Sequence, residues 1–173
     1  MINYRSLDAV PGSTEDFVSI QRLVHRYSEA VVLRDAAQWG SGWAEDATWN
    51  LGGGRLVSGR TAIVDLWTSA MAGMAAVVQM THNGDVVYDP TNKDRAMGRW
   101  FIDERYRRAD GPVGMLLAHY DDEYVRGDDG AWRFSSRFLQ VHYHGLPDLS
   151  GEFQNTADKL AAGSTSTADG PGA

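Results

Sequence analysis

The stretch Met97–Arg107, MGRWFIDERYR, alternates so regularly that it reads as a long central strand of a curved antiparallel sheet with one face turned inward. Trp100, Ile102, Glu104 and Tyr106 fall on one side, and Arg99, Phe101, Asp103 and Arg105 on the other. Glu104 stands in line with the apolar residues. A carboxylate there is costly unless it is paired, neutralised or set in a polar cavity. The strand therefore implies either a lined pocket or an open rim where Glu104 meets an arginine.

Upstream, residues 1–13 read as an arm. Ser13 and Thr14 offer helix caps, with Glu15 and Asp16 in the first turn. Phe17, Ile20, Leu23, Val24, Tyr27, Ala30 and Val31 recur at helical spacing, which predicts an amphipathic helix over 14–34. Its ridge Leu23–Tyr27–Val31 continues to Asp35, about 12 Å beyond Tyr27 if the helix persists. Tyr27 and Asp35 are thus a candidate phenol and second acid for a pocket, or else plain core and a solvated helix end. Trp39, Trp43 and Trp49 mark a short helical turn leading into a strand, and the glycines at 52–54 read as a hairpin turn. No GK[ST] follows them, so they are not a phosphate loop.

Residues 61–74 carry a second helical pattern, and 77–90 a strand with His82 and Asn83 near its start. His82 is a candidate general base or a histidine satisfied by backbone carbonyls. Strands follow at 115–126 and 131–144, joined by the GDDG hairpin at 127–130. In the last strand Arg137, Leu139, Val141 and Tyr143 share one face, with Phe138, Gln140, His142 and His144 on the other. Arg137 is a counter-ion for Glu104 or for an oxygen-rich ligand, or it snorkels to the rim. His142 and His144 have no third ligand in sight, so no metal is expected. Residues 150–173 lose all pattern and read as a weakly ordered tail, leaving 14–149 as one domain.

The formal charge of −7, only two lysines and no basic run argue against a nucleic-acid partner. No apolar stretch approaches ~18 residues, so no membrane span is expected. Without cysteine there is neither a disulfide framework nor a thiolate metal site. The N-terminus lacks the basic start and apolar core of a secretory signal, and a cytoplasmic location is expected.

Helices followed by long hairpin-linked strands predict an α+β fold, a cone-shaped barrel in which N-terminal helices pack into a strongly curved mixed or antiparallel sheet. Three stretches bring a resemblance: Ile20-Gln21-x-Leu23…Tyr27, Trp43-x-x-Asp46-Ala47-x-Trp49, and Tyr120-x-x-Glu123-Tyr124-x-Arg126…Gly130-x-Trp132. They resemble the nuclear transport factor 2-like superfamily in its SnoaL-like, polyketide-cyclase-like branch. Within it the chain looks most like the cofactor-free lyases: bile-acid dehydratases, scytalone dehydratase and hexachlorocyclohexane dehydrochlorinase. The resemblance places Glu104 on a pocket aspartate, Tyr27 on a helix tyrosine, and Arg137 on a pocket arginine five residues after Trp132. The family's Asp–His dyad does not carry over directly. By count its aspartate falls on Val32 and its histidine on Gln79, unless Asp35 and His82 form a shifted version.

A cone lined by Trp49, Asn83, Trp100, Ile102, Leu139 and Val141 suits a small aromatic or polycyclic substrate. His82, Glu104, Asp35 and Tyr27 supply acid and base groups, and Arg137 stabilises charge developing on oxygen. The expected chemistry is cofactor-independent elimination of water or a similar group, by a homodimer or homotrimer. Carbon–carbon cleavage through a quinone-methide-like intermediate, isomerisation or cyclisation would need the same groups. A non-catalytic ligand-binding or assembly domain is the alternative from another class.

Overall fold

The computed structural model describes residues 12–154. Helix α1 spans Thr14–Leu33 and starts on Ser13, whose hydroxyl accepts the Asp16 amide at 3.0 Å. Glu15 and Asp16 lie at its positive end. It stops at Arg34, which takes a left-handed conformation (φ 56°). Asp35 then opens a second helix, α2 (Ala36–Ser41), by accepting the Gln38 amide at 2.9 Å. The break corrects one expectation: Asp35 leaves the Tyr27 ridge and is an exposed cap.

Strands β1 (Trp43–Asn50) and β2 (Leu56–Ser58) form a hairpin whose Gly52, Gly53 and Gly54 all have positive φ, as the glycine run predicts. Helix α3 (Arg60–Ala72) follows. Then come β3 (Met74–Asp89), β4 (Asn92–Arg108), β5 (Val113–Arg126) and β6 (Trp132–Gly145). The described strands form one sheet ordered β2-β1-β6-β5-β4-β3 that does not close on itself. β1 runs parallel to β6, and every other pairing is antiparallel. The expected α+β architecture with a curved mixed sheet is the one observed. The tail differs from expectation at its start: β7 (Glu152–Phe153) pairs with Tyr143 and His144 of β6. Most of the expected arm (1–11) and tail (155–173) lies outside the described residues.

Helix α1 packs on β3 and β6, and α3 on β1 and β3. Between them sits an aromatic core in which Trp39 stacks on Trp67 at 4.7 Å and Tyr27 meets Trp39, Trp43 and Phe134 at 5.2–6.4 Å. This core fills one part of the inner sheet face and leaves the remainder open.

Candidate active site

The open part is a cavity of about 410 Å³ bounded by α1, α3 and the inner faces of β1 and β3–β6. Val31, Trp49, Trp67, Leu116, Leu139 and Val141 give it apolar walls. Tyr27, Gln79, Glu104, Tyr106, Tyr120 and His144 add polar groups, with Arg55 of the glycine turn also at its lining. A second cavity of about 390 Å³ lies beyond Tyr27 and Trp39, lined by Arg22, Arg26 and Arg133 but by no carboxyl or imidazole. Acid–base groups gather in the first.

Glu104 is held from one side. Gln79 Nε2 donates to Glu104 Oε2 at 2.7 Å, and Gln79 Oε1 accepts the Ser28 hydroxyl at 3.1 Å. Ser28 also lies 2.6 Å from the Thr81 hydroxyl. Burial lifts the Glu104 carboxyl above the usual carboxylate range, and the Gln79 hydrogen bond offsets only part of that rise. Among the described residues no cation pairs with it. The expectation of an inward carboxyl in a pocket holds, and the arginine-paired rim does not.

Arg137 lies beneath the cavity, not in it. Its guanidinium donates to both oxygens of Asp122, at 2.9 and 3.1 Å, and covers the rings of Tyr27, Tyr120 and Phe134 at 4.1, 3.8 and 4.3 Å. Asp122 also accepts the Tyr124 hydroxyl at 2.8 Å. Burial opposes the charge on Arg137, but Asp122 and the surrounding phenols outweigh it and keep the guanidinium protonated. The expected pairing with Glu104 is therefore replaced by a buried pair with Asp122. Burial also raises the phenols of Tyr27 and, more strongly, Tyr120, so both present neutral hydroxyls.

Several expected site residues are elsewhere. His82 and Asn83 are exposed and do not line the cavity. Gln79 and Thr81 face the inward Glu104 and Ile102, so alternation puts His82 on the outer side, and an extra residue then interrupts the pairing, Gly84, three positions after Thr81, facing Trp100. Trp100 and Ile102 turn inward but are buried in the packed core, the Trp100 indole N–H donating to Tyr124 at 3.0 Å. Val32 is exposed, and the α1 residue that meets Gln79 is Ser28, so this helix–strand contact contains neither an acid nor a base. Tyr27, Glu104, Trp49, Leu139 and Val141 do meet in the cavity.

A second extra residue changes β6. Ala118 faces Val141, but Leu117 faces Tyr143, which leaves His142 outside the ladder. His144 thereby joins Leu139 and Val141 on the inner face, whereas His142 bonds His119 (Nδ1···Nε2 2.8 Å) beside Phe101. The two histidines do not share a face. Tyr106 was legible from its alternation with Glu104, and Tyr120 from its alternation with Leu116 and Tyr124. His144 was hidden by the bulge.

A family model described as a SnoaL-like domain matches residues 12–138. No curated protein matches the sequence. Solved structures with the same fold include a Novosphingobium aromaticivorans protein named, without established activity, as a scytalone dehydratase. It is 20% identical, with 82% of this chain and 92% of that one covered and a TM-score of 0.69. A hexachlorocyclohexane dehydrochlorinase, LinA-type3 from Novosphingobium barchaimii LL02, is 21% identical over 82% and 94% of the two chains, with a TM-score of 0.68. A Mycobacterium tuberculosis protein of unknown function is 22% identical over 75% and 77%, with a TM-score of 0.65. With its matched stretch covering most of the sheet and all three helices, the chain belongs to the SnoaL-like domain family of the nuclear transport factor 2-like superfamily.

Proposed function

We propose that the protein is a cofactor-independent lyase that eliminates water, or a similarly small group, from a flat hydroxylated aromatic or polycyclic compound. One observation carries this reading: a carboxyl with no ion-pair partner among the described residues, its affinity for a proton raised by burial, faces an apolar-walled hollow. A hydroxyl leaves poorly as hydroxide, and Glu104 supplies the proton that lets it leave as water. Gln79, itself held by Ser28, fixes one carboxyl oxygen and so orients the acid. The neutral phenols of Tyr27 and Tyr120 are placed to donate hydrogen bonds to a substrate oxygen that gains negative charge. Two fold neighbours are named for eliminations, of water and of hydrogen chloride, which agrees with this chemistry.

Ser28 and Gln79 at the helix–strand contact favour a second reading, a ligand-binding domain without turnover. A panel of β-hydroxy ketones on one-, two- and four-ring frameworks separates the two. It includes 3-hydroxy-1-tetralone, whose loss of water yields fluorescent 1-naphthol. Elimination requires turnover of panel members by the wild type and a fall in kcat on the order of 10²–10⁴ in Glu104→Gln with the fold intact. Undiminished turnover in Glu104→Gln refutes the assignment, and binding without turnover across the panel supports the second reading.

A further inference from the structure

An elimination needs a base as well as an acid, and both expected partners of the family dyad are missing from the cavity. What the cavity does contain is a phenol and an imidazole in direct contact. Tyr106 Oη and His144 Nε2 are 2.8 Å apart, and their rings stack at 6.3 Å with an interplanar angle of 22°. Both line the hollow with Glu104.

The sheet is built to bring them together. Gln79, Glu104, Leu116 and His144 form one row of directly facing residues across β3, β4, β5 and β6. His144 therefore stands two strands from Glu104, on the order of 10 Å between backbones. Tyr106 bridges that gap. It lies two residues beyond Glu104 on the same face of β4, about 7 Å along the strand, and its facing partner on β5 is Gly114. A Cβ at Gly114 would stand 2.3 Å from both Tyr106 Cζ and Tyr106 Oη. The bare backbone there lets the tyrosine lie flat across β5 and reach the imidazole on β6. The bulge at His142 turns that imidazole inward to meet it.

We infer that Tyr106 and His144 are the proton-abstracting pair of this cavity, working opposite Glu104. The inference rests on the elimination proposed above. The substrate's C–H proton passes to Tyr106 Oη as the tyrosine's own proton passes to His144 Nε2. The C–H electron pair becomes the new carbon–carbon double bond, the C–O bond breaks, and the departing oxygen takes the Glu104 proton and leaves as water. The enzyme is left with a carboxylate at Glu104, an intact phenol at Tyr106 and an imidazolium at His144. His144 is exposed and returns its proton to bulk water. Burial favours re-protonation of Glu104 before the next cycle. Burial raises the Tyr106 phenol, which is why the tyrosine passes a proton on and does not hold a phenolate.

Four single variants and one double variant test the pair with the same β-hydroxy ketone panel. Tyr106→Phe and His144→Gln should each lower kcat by roughly 10²–10³-fold with KM little changed, and the double variant should be no worse than the poorer single one. Gly114→Ala keeps both groups but displaces the ring, and it should match Tyr106→Phe. The fourth, Glu104→Gln, separates failures. If it is inert while Tyr106→Phe and His144→Gln keep wild-type kcat, the base assignment is overturned and the elimination stands. If the wild type turns over no panel member, the elimination is refuted and the base with it. A readout without substrate is the ¹⁵N resonance of His144. Tyr106→Phe and Gly114→Ala should move it alike, and no movement in either overturns the contact.

Discussion

At Asp122 and Arg137 the inner face of the sheet carries two opposite charges, both wholly buried, with rings packed against the guanidinium. One cavity wall away, at Glu104, the same face carries a single carboxyl bordered by a hollow. The two places solve the cost of burying an ion in different ways. At the first, each charge meets its opposite in a two-point contact and the space around it is filled with aromatic rings. At the second, no cation among the described residues pairs with the carboxyl, and burial raises its affinity for a proton. Pairing makes the first place inert. Its absence leaves the second with the raised proton affinity that the proposed elimination would use.

The largest expected effect breaks the paired end. Asp122→Ala leaves Arg137 charged and buried, and one of its nitrogens, Nη1, already lacks a hydrogen-bond partner. It should cost about 3–5 kcal/mol in denaturant unfolding. Replacing both partners with apolar residues, Asp122→Leu with Arg137→Met, should recover much of that loss.

At the open end the sign reverses. Glu104→Gln should stabilise the protein at neutral pH, because it removes a carboxyl that the fold holds above its unfolded value. Below the unfolded pKa of about 4.3 both states are protonated and Glu104 carries no penalty. As pH rises from there through the raised folded value, the wild type should lose stability and then level off. The Gln variant should lack that decline, so urea titrations at several pH values distinguish them. The smallest effect falls on the second tier of support. Ser28→Ala removes the bond that orients Gln79 and should cost about 1 kcal/mol. It should also lower kcat far less than Glu104→Gln.

The helices, the strand series and the inward direction of Glu104 were legible because hydrophobic alternation at periods of 3.6 and 2 reports them directly. Asp122 was equally readable: it alternates with Tyr120 and Tyr124, so an inward partner for Arg137 was present on the next strand. The remaining differences arise where a single residue breaks the period. Arg34 takes a left-handed turn and sends Asp35 away from the Tyr27 ridge. An extra residue after Thr81 interrupts the pairing of β3 beside His82 and Asn83, and another at His142 turns His144 inward. Bulges leave no mark in residue type, so counting positions along β6 gave the wrong side for His144.

The extra residue at His142 of β6 acts like a frameshift in a two-letter pattern: beyond it, neighbours exchange sides without any of them being replaced. A curved sheet of this kind can therefore acquire a new reactive group by inserting one amino acid in a strand. The hydrocarbon lining upstream of the insertion keeps its place. Chemistry and scaffold can then diverge at different rates within one lineage.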